Sequence, residues 1–485
     1  MLTLFLFILP LIFTLVLFAI PNVKHIKSIA FVASIVEFAI AVIILFQFLY
    51  GCHCVLNFHP DVYFWLGINL NLNMDGLSLL LILLTTFLCP IIIFSTFNKD
   101  SKKPAAFYAL ILLMEMSLIG VFTASDVLLF YIFWELALIP VYFITALWGG
   151  ENARKITLEF LIYTLVGSLL MLAAIVYLYT LTPGQHSFSF NAFYALAIET
   201  KAQVYVFLAF FLAFAIKIPL FPFHSWQPKT YTVAPTQGSM LLAGLILKMG
   251  IYGLLRFVLP LCSDTLSTWN FYAILLSIIG IIYASVIAIR QNELKRLIAF
   301  ASLAHVGLIA AGVFSQTFWG IQGAIMQMLS HGVNVVGLFF CYEIIVRRTQ
   351  TGNMTLLGGI ASKAPVFSAF FMIIVLATIA LPLTNSFVGE FLMLLGIFQY
   401  NPYLALIAGL TVVFSAIYML QVFQRIMLGS TKPATENFID MSMSEIMVLV
   451  PIVILIFWMG IYPKMFLNIA EPIVKGILNL QNITQ

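Results

Sequence analysis

The chain is a nearly unbroken succession of apolar stretches, and this feature limits its possible folds more than any other. A window of about 19 residues finds about fourteen such stretches, near 2–20, 28–49, 76–97, 106–123, 127–147, 160–181, 203–224, 235–258, 270–289, 297–313, 319–345, 366–399, 402–428 and 445–466. Each can cross a bilayer as a helix, which satisfies its own backbone hydrogen bonds in hydrocarbon. Only 8% of the residues are charged and the mean hydropathy is +1.11. We predict an all-α polytopic membrane protein with about 14 transmembrane helices.

The positive charges between the spans predict how the chain crosses the membrane. Loops after even-numbered spans hold only Lys201 and Arg256. Loops after odd-numbered spans hold Lys24, Lys27, Lys99, Lys102, Lys103, Arg154, Lys155, Lys229, Arg290, Lys295, Arg296, Arg347, Arg348, Lys363, Arg425 and Lys432. Because cytoplasmic loops are enriched in Lys and Arg, the odd-to-even loops are predicted to be cytoplasmic and both termini to lie outside. The first stretch lacks the basic region and the cleavage site of a signal peptide, so we expect it to remain as a span.

The sequence offers no sign of a metal or cofactor of its own. It contains no Walker loop, GxGxxG motif, CxxCH motif or Fe–S cysteine run. Cys52, His53 and Cys54 cluster near His59, but one residue between two thiols is fewer than zinc sites use. We therefore predict no metal site. The net charge of +4 is small and dispersed, which does not indicate nucleic-acid binding.

Six ionisable residues lie inside predicted spans at one common depth: Glu135, Lys217, Lys248, His305, His331 and Glu390. A charge at the bilayer centre costs roughly 2.5–3.5 kcal/mol, so each of them indicates function. A vertical pore would spread its charges over several depths. Their common depth therefore predicts a row along the membrane plane.

Some of these residues, taken singly, also fit a structural role. A lone intramembrane histidine, such as His305 or His331, is more often hydrogen-bonded to a neighbouring helix than part of a relay. Glu37 and Glu115 also lie at mid-depth, where a lone carboxyl can be protonated and bonded to backbone or hydroxyl groups. We expect Glu115 to support the row.

Prolines follow Lys217 inside an apolar span. In IKIPLFPFHSW, Pro219 and Pro222 remove two helix donors. His224 lies seven residues after the lysine, which is two turns along one face if the helix continued. Backbone carbonyls freed by a break need protein or water as partners. The prolines therefore predict a hydrated gap beside the lysine, and we expect His224 to support this site.

A second span repeats this pattern. In IALPLTNSFVGEF, Pro382 and Leu383 stand as Pro219 and Leu220 do, and Glu390 follows. The two prolines are five spans apart, and an odd offset reverses direction across the membrane. The pattern predicts two inverted repeats, each with a broken helix, as in ion and proton transporters.

Seven stretches carry a family resemblance: FYIFWELALIPVYF (130–143), WGGENARKITLEFLIYTLVGSLLML (148–172), KIPLFPFHSW (217–226), APTQGSMLLAGLILKMGIYGLLR (234–256), ASLAHVG (301–307), MLSHG (328–332) and NSFVGEF (385–391). Together they resemble chain M, the antiporter-like, chain-4-type membrane subunits of proton-pumping NADH:quinone oxidoreductase, respiratory complex I. The resemblance covers residues 70–430 approximately. The repeats are also similar to the wider cation/proton antiporter family, whereas the WGG stretch and NSFVGEF resemble chain M in particular.

The resemblance implies a layout and a role for each residue of the row. Spans 1–3 occupy 1–105, the first five-helix repeat 106–258, the inverted repeat 259–428, and span 14 with the tail 429–485. The matching residues are Glu135 of span 5, Lys217 of the broken span 7, Lys248 of span 8, the bridging His305 and His331, and the twelfth-span Glu390.

The resemblance also implies the setting of the chain. The chain is expected to be a non-redox subunit of a proton-translocating enzyme, with NADH, FMN, Fe–S clusters and quinone in other subunits. Its expected partners are other membrane-arm subunits, including neighbouring antiporter-like chains, and the lipid bilayer. The expected location is the bacterial inner (cytoplasmic) membrane in preference to the mitochondrial inner membrane.

Three positions depart from the family pattern. The family usually has W-L-P-D-A-H after the broken helix, whereas WQPKTY here has Lys229 in place of the acid and Tyr231 in place of the histidine. A family lysine position in span 6 holds Glu159. These sites lie near the membrane edge, so they put in doubt the cytoplasmic access route and partner contacts more than the row.

The predicted mechanism moves protons without redox chemistry. Glu135 holds Lys217 in its charged form, because an opposite charge within about 4–6 Å favours ionisation. When a neighbouring subunit loosens this pair, Lys217 releases its proton along Lys248 and the histidines toward Glu390. Histidine suits the middle because its ordinary pKa of about 6.5 lets it accept and give a proton at little cost.

Two other functions remain open from the sequence. A subunit of a multi-chain cation/proton antiporter or membrane-bound hydrogenase would use the same helices. A stand-alone solute transporter would bind an organic anion at the break, but no Arg lies near it.

Overall fold

The computed structural model describes residues 2–19, 23–51, 63–64, 68–69, 71–98, 102–184 and 186–483. Within these ranges the strands are β1 (Tyr63–Phe64) and β2 (Ile68–Asn69), which pair antiparallel. In the described chain, 13 helices are long and apolar enough to cross a membrane, and Pro365–Thr378 is a shorter apolar helix. The prediction of an all-α polytopic membrane fold is confirmed.

The α-helices follow the predicted spans closely. In chain order they are α1 (Leu2–Ala19), α2 (Val23–Leu49), α3 (Gly76–Phe94), α4 (Pro104–Thr123), α5 (Val127–Leu136), α6 (Leu138–Trp148), α7 (Ala153–Leu181), α8 (Phe190–Tyr194), α9 (Thr200–Lys217), α10 (Trp226–Val233), α11 (Thr236–Leu241), α12 (Leu247–Gly253), α13 (Leu259–Leu261), α14 (Ser263–Arg290), α15 (Leu294–Phe314), α16 (Phe318–Thr349), α17 (Ile360–Lys363), α18 (Pro365–Thr378), α19 (Asn385–Tyr400), α20 (Pro402–Ala408), α21 (Leu410–Met427), α22 (Met443–Ile461) and α23 (Lys464–Ile483). Two π-helical segments, Leu242–Ile246 and Leu254–Val258, flank α12, and Met354–Leu356 and Pro433–Thr435 are 3₁₀ turns.

Polar residues cap several helices at the membrane edge. Asp75 accepts a hydrogen bond from the backbone N–H of Ser78 at the start of α3. Asp126 caps α5 in the same way. Ser442 and Glu445 form a capping box at α22. These caps satisfy donors that a helix leaves unpaired at its first turn.

Both predicted helix breaks are present. The first gap separates the end of α9 at Lys217 from the start of α10 at Trp226. The second separates the end of α18 at Thr378 from the start of α19 at Asn385. A proline has no N–H to donate and disfavours helix in the residue before it, which accounts for a gap at each place.

The chain divides into two compact units. Residues 1–218, 245–269 and 469–485 form the first unit, and residues 219–244 and 270–468 form the second. Within the first unit, α1 packs on α4 and α7 packs on α9. Within the second unit, α16 packs on α19 and on α15, and the side chains of α15 are almost all buried. The sequence-repeat boundaries at 105/106, 258/259 and 428/429 remain a prediction, because packing units and sequence repeats are different divisions.

Candidate functional site

Lys217 is buried at the end of its helix. Its side chain is 1% exposed, and Nζ lies 5.0 Å from the centroid of the Trp134 ring. Nζ donates no hydrogen bond to any residue of the described chain. The ammonium is therefore held by the face of an aromatic ring, which attracts a cation, and by long-range charge.

Glu135 supplies the opposite charge in the same unit. It stands one residue before the end of α5, where Pro140 of α6 has no N–H for the carbonyl of Leu136. The residue before it, Trp134, carries the ring over which Lys217 Nζ lies, so Glu135 stands next to the residue that contacts the lysine. No nitrogen and oxygen of these two described side chains lie within 4.0 Å of each other. We name Glu135, Trp134 and Lys217 the lysine site, a pair joined by charge across a gap.

Lys248 occupies α12, the helix that packs against the end of α9. Its side chain is 1% exposed. A Cβ added at Gly250 would overlap Ile218, and one at Gly253 would overlap the ring of Phe214. The two glycines therefore allow the close approach of α12 to the helix that carries Lys217.

The second unit brings three predicted residues together. Nδ1 of His305 lies 3.0 Å from Oε1 of Glu390, at 4% and 2% side-chain exposure. These two atoms are within ion-pair distance, but the angle at Nδ1 does not meet the requirement for a hydrogen bond. The ring centroids of His305 and His331 are 6.3 Å apart. The structure therefore joins these residues as a local group.

Three further residues complete this group. Gln327 donates from Nε2 to Oε1 of Glu390 at 3.3 Å, Ser302 Oγ lies 3.0 Å from Nε2 of His331, and the Tyr418 hydroxyl lies 3.5 Å from Nε2 of His305. We name the six residues the histidine cluster: Ser302, His305, Gln327, His331, Glu390 and Tyr418.

A small cavity lies inside the histidine cluster. Its volume is about 20 Å³, and its walls include Ser302, His305, Gln327 and His331. A cavity of this size has room for about one water molecule, to which these four polar side chains offer hydrogen-bond partners. A single bound water there can carry a proton between the two imidazoles.

The second helix break is tied to α16 beside this cavity. Nδ2 of Asn334 donates to Asn385 Oδ1 at 3.1 Å and to Ser386 Oγ at 2.9 Å. Asn385 donates back to Asn334 Oδ1 at 3.0 Å. The polar residues that begin α19 therefore position the helix on which Glu390 lies one turn further along.

Sequence reasoning missed Ser302, Gln327 and Tyr418. Ser302 precedes His305 by three residues and Gln327 precedes His331 by four, so each shares a helix face with a predicted histidine. This helical spacing could have identified both residues from the sequence. Tyr418 offers no such signal, since its contact with His305 joins residues 113 positions apart.

His224 and Glu115, the residues expected to support the row, each pack against local neighbours. The helix does not continue from Lys217 to His224, so the two are not one face of a single helix, and His224 packs in the second unit against Phe221 and Tyr283. Glu115 contacts Glu37 and Cys89 on neighbouring helices of the first unit, and all three side chains are fully buried.

The departures from the family pattern differ in their surroundings. Tyr231 is fully buried, with its ring near those of Trp226 and Phe339 in the second unit. Lys229 and Glu159 are exposed.

Cys52, His53, Cys54 and His59, weighed above as metal ligands, lie outside the described residues. The described residues contain no group of three or more His, Cys, Asp or Glu side chains that could hold a metal ion.

Comparison with known proteins decides the family. Residues 124–415 match the family described as NADH:quinone oxidoreductase/Mrp antiporter, transmembrane. The chain belongs to this family. It is 39% identical to NADH-quinone oxidoreductase subunit M of Rickettsia conorii over 94% of this chain and 92% of that protein. A chain of respiratory complex I from Thermus thermophilus superposes with a TM-score of 0.90 at 30% identity, covering 99% of this chain and 100% of that one.

A third match shares the fold alone. A chain of the Mrp complex from Dietzia sp. superposes with a TM-score of 0.84 but is 16% identical, with 100% of this chain and 99% of that chain covered. The fold of this chain is therefore shared at low sequence identity.

Proposed function

We propose that this chain is a proton-translocating membrane subunit of NADH:quinone oxidoreductase, respiratory complex I, and that it performs no redox chemistry itself. The observation that carries the proposal is the lysine site, where a buried ammonium without a hydrogen-bond acceptor faces one carboxylate across a gap. A charge held this weakly in a low-dielectric interior changes its protonation when the carboxylate moves. The similarity to subunit M supports the same function.

The lysine site acts as the switch. While Glu135 is near, its charge and the Trp134 ring stabilise the ammonium form of Lys217. A shift of Glu135, driven by a neighbouring subunit, removes that stabilisation and leaves burial to favour the neutral amine. Lys217 then releases its proton into the hydrated gap that follows it.

The proton passes from Lys217 to Lys248 and then to the histidine cluster. His331 and His305 exchange it through the water-sized cavity, and Glu390 receives it at 3.0 Å from His305. Glu390 is the last mid-membrane station before the outer side.

The setting follows from this role. The partners are other membrane-arm subunits of the complex, including neighbouring antiporter-like chains, and the surrounding lipid. NADH, FMN, Fe–S clusters and quinone are bound by other subunits. The membrane is the bacterial inner membrane.

A matched pair of lysine variants tests this function. Lys217 and Lys201 lie on the same helix, but Lys201 is exposed near its start. In the assembled complex in vesicles, Lys217→Ala should reduce NADH-driven proton pumping about tenfold, and Lys201→Ala should leave it unchanged. Equal pumping by both variants, or purification of the chain with no NADH-oxidising subunits, would contradict the proposal.

A further inference from the structure

A polar cavity opens at one edge of the first unit, apart from both sites above. Its volume is about 330 Å³, enough for several water molecules. Its walls come from the starts of α3 and α5, the segment around α8, and the end of the span that contains α12. Its lining residues include Asp75, Ser78, Asn191, Tyr252 and Arg256.

The charge pattern of the chain assigns this cavity to the outer side. Its residues 71–78, 124–125, 189–194 and 252–256 lie in or next to the loops that follow spans 2, 4, 6 and 8. All four are even-numbered, and even-numbered spans are followed by the loops poor in Lys and Arg.

An ion pair forms one wall of the cavity. Nη2 of Arg256 donates to Oδ2 of Asp75 at 2.5 Å and to Ser78 Oγ at 3.2 Å. The guanidinium also lies 5.0 Å from the Tyr252 ring centroid. Burial alone would raise the pKa of Asp75, but the charge and hydrogen bonds of Arg256 hold that pKa below its usual range. Asp75 is therefore ionised at neutral pH, as an ion pair with Arg256 requires.

A short chain of hydroxyl groups leads inward from this pair. Ser78 Oγ lies 3.3 Å from the Tyr252 hydroxyl, which donates to the carbonyl of Phe122 at 3.2 Å. Tyr252 and Lys248 are one helical turn apart on the same face of α12. The π-helical segment Leu254–Val258 follows directly and brings Arg256 onto the Tyr252 ring.

We propose that this cavity is a water-filled opening to the outer side through which Lys248 exchanges protons, with Tyr252 and Ser78 as the hydroxyl link and the Arg256–Asp75 pair as the barrier to proton return. The inference rests on the proposed function and adds to it a second outlet, separate from Glu390. A hydroxyl can accept a proton and pass on another, so Tyr252 transfers without a net change of its own charge. The fixed guanidinium repels protons at the opening, which limits backflow.

Blocking the cavity tests the opening directly. Asn191 lines it and is exposed, whereas Ser267 is exposed in the first turns of α14 and does not line it. In vesicles of the assembled complex, Asn191→Cys should react with a membrane-impermeant, cationic methanethiosulfonate only from the outer side. The reaction should lower NADH-driven proton pumping at least threefold, while equally labelled Ser267→Cys pumps as before.

Removing the hydroxyl tests the link. Tyr252→Phe should lower proton pumping at least threefold with normal assembly, and Tyr205→Phe, the same change at a side chain that is 75% exposed, should have no effect. Arg256→Gln should increase the passive proton leak of the vesicles, because it removes the guanidinium charge that repels protons at the opening. Unchanged pumping in labelled Asn191→Cys and in Tyr252→Phe would overturn the outlet. If Lys217→Ala still reduced pumping about tenfold in that case, the proposed function would stand without the outlet.

Discussion

At the residue level, two buried charged side chains have fewer partners than their chemistry requires. Lys217 donates no hydrogen bond within the described chain, and Oε2 of Glu390 accepts none. An unsatisfied buried charge costs free energy that a purely structural residue would avoid. We infer that both positions exchange protons, and each leads to a prediction.

Replacing Glu135 tests the charge that stabilises Lys217. Glu135→Gln keeps the shape of the side chain but removes the charge that favours the ammonium. Proton pumping by the reconstituted complex should fall about tenfold, the effect of about 1.4 kcal/mol on one protonation equilibrium. Glu151→Gln, the same change at an exposed position, is the control. Near-normal transport by Glu135→Gln would rule out this role.

Replacing Glu390 tests the exit station. A relay position needs a group that binds and loses a proton, so Glu390→Asp or Glu390→Lys should retain part of the pumping. Glu390→Ala should lose most of it, and assembly should be unchanged in all three variants. The measurement is the initial rate of proton uptake by vesicles. If Glu390→Ala pumps like the parent, the outlet lies on another span.

At the level of the elements, the two helix breaks place polar groups where a continuous helix has none. In the second break, Ala380 has φ +59° and Leu383 has φ +75°, which residues with a Cβ rarely adopt. This strained backbone is held by Asn385 and Ser386, which bond to Asn334 on α16. The break therefore depends both on Pro382 and on its packing partners.

Removing Pro382 tests the second break. Pro382→Ala restores a backbone donor and lets the residues with positive φ return to helix. Proton pumping should slow at least threefold while the complex still assembles. The control is Pro402→Ala, since Pro402 occupies the first turn of α20, where no N–H is needed. Normal pumping by Pro382→Ala would make the break a packing feature.

At the level of the whole molecule, charge at the span ends predicts the orientation, and packing defines the two units. Two of the four unit boundaries fall at 218/219 and 244/245, inside the first broken helix and inside the first π-helical segment. The lysine site and Lys248 belong to the first unit, and the histidine cluster to the second. The transfer of a proton from Lys248 to the histidine cluster is therefore proposed separately from the contacts observed within each unit.

Single cysteines test the orientation. Ser267 and Ser430 are exposed, and they follow spans 8 and 13 of the spans predicted from the sequence. An impermeant thiol reagent should label Ser267→Cys only from the outer side and Ser430→Cys only from the cytoplasmic side. Labelling of both from one side would contradict the predicted topology.

The sequence by itself determined the helical membrane fold, the positions of the spans and both breaks. Hydrocarbon leaves a backbone almost no alternative to helix, and proline removes a donor wherever it stands, so local sequence is sufficient for these features. The family resemblance, confirmed by the comparisons, followed from short motifs such as KIPLFPFHSW and NSFVGEF.

Only the tertiary structure decided which polar groups meet. Gln327 and Glu390 are 63 residues apart and Asp75 and Arg256 are 181 apart, so their contacts depend on how whole helices pack. Packing likewise decided the neighbours of His224, which are Phe221 and Tyr283, and those of Glu115, which are Glu37 and Cys89. Side-chain direction across an interface is set by helix rotation and close approach, as Gly250 and Gly253 show for α12, and no local pattern encodes either.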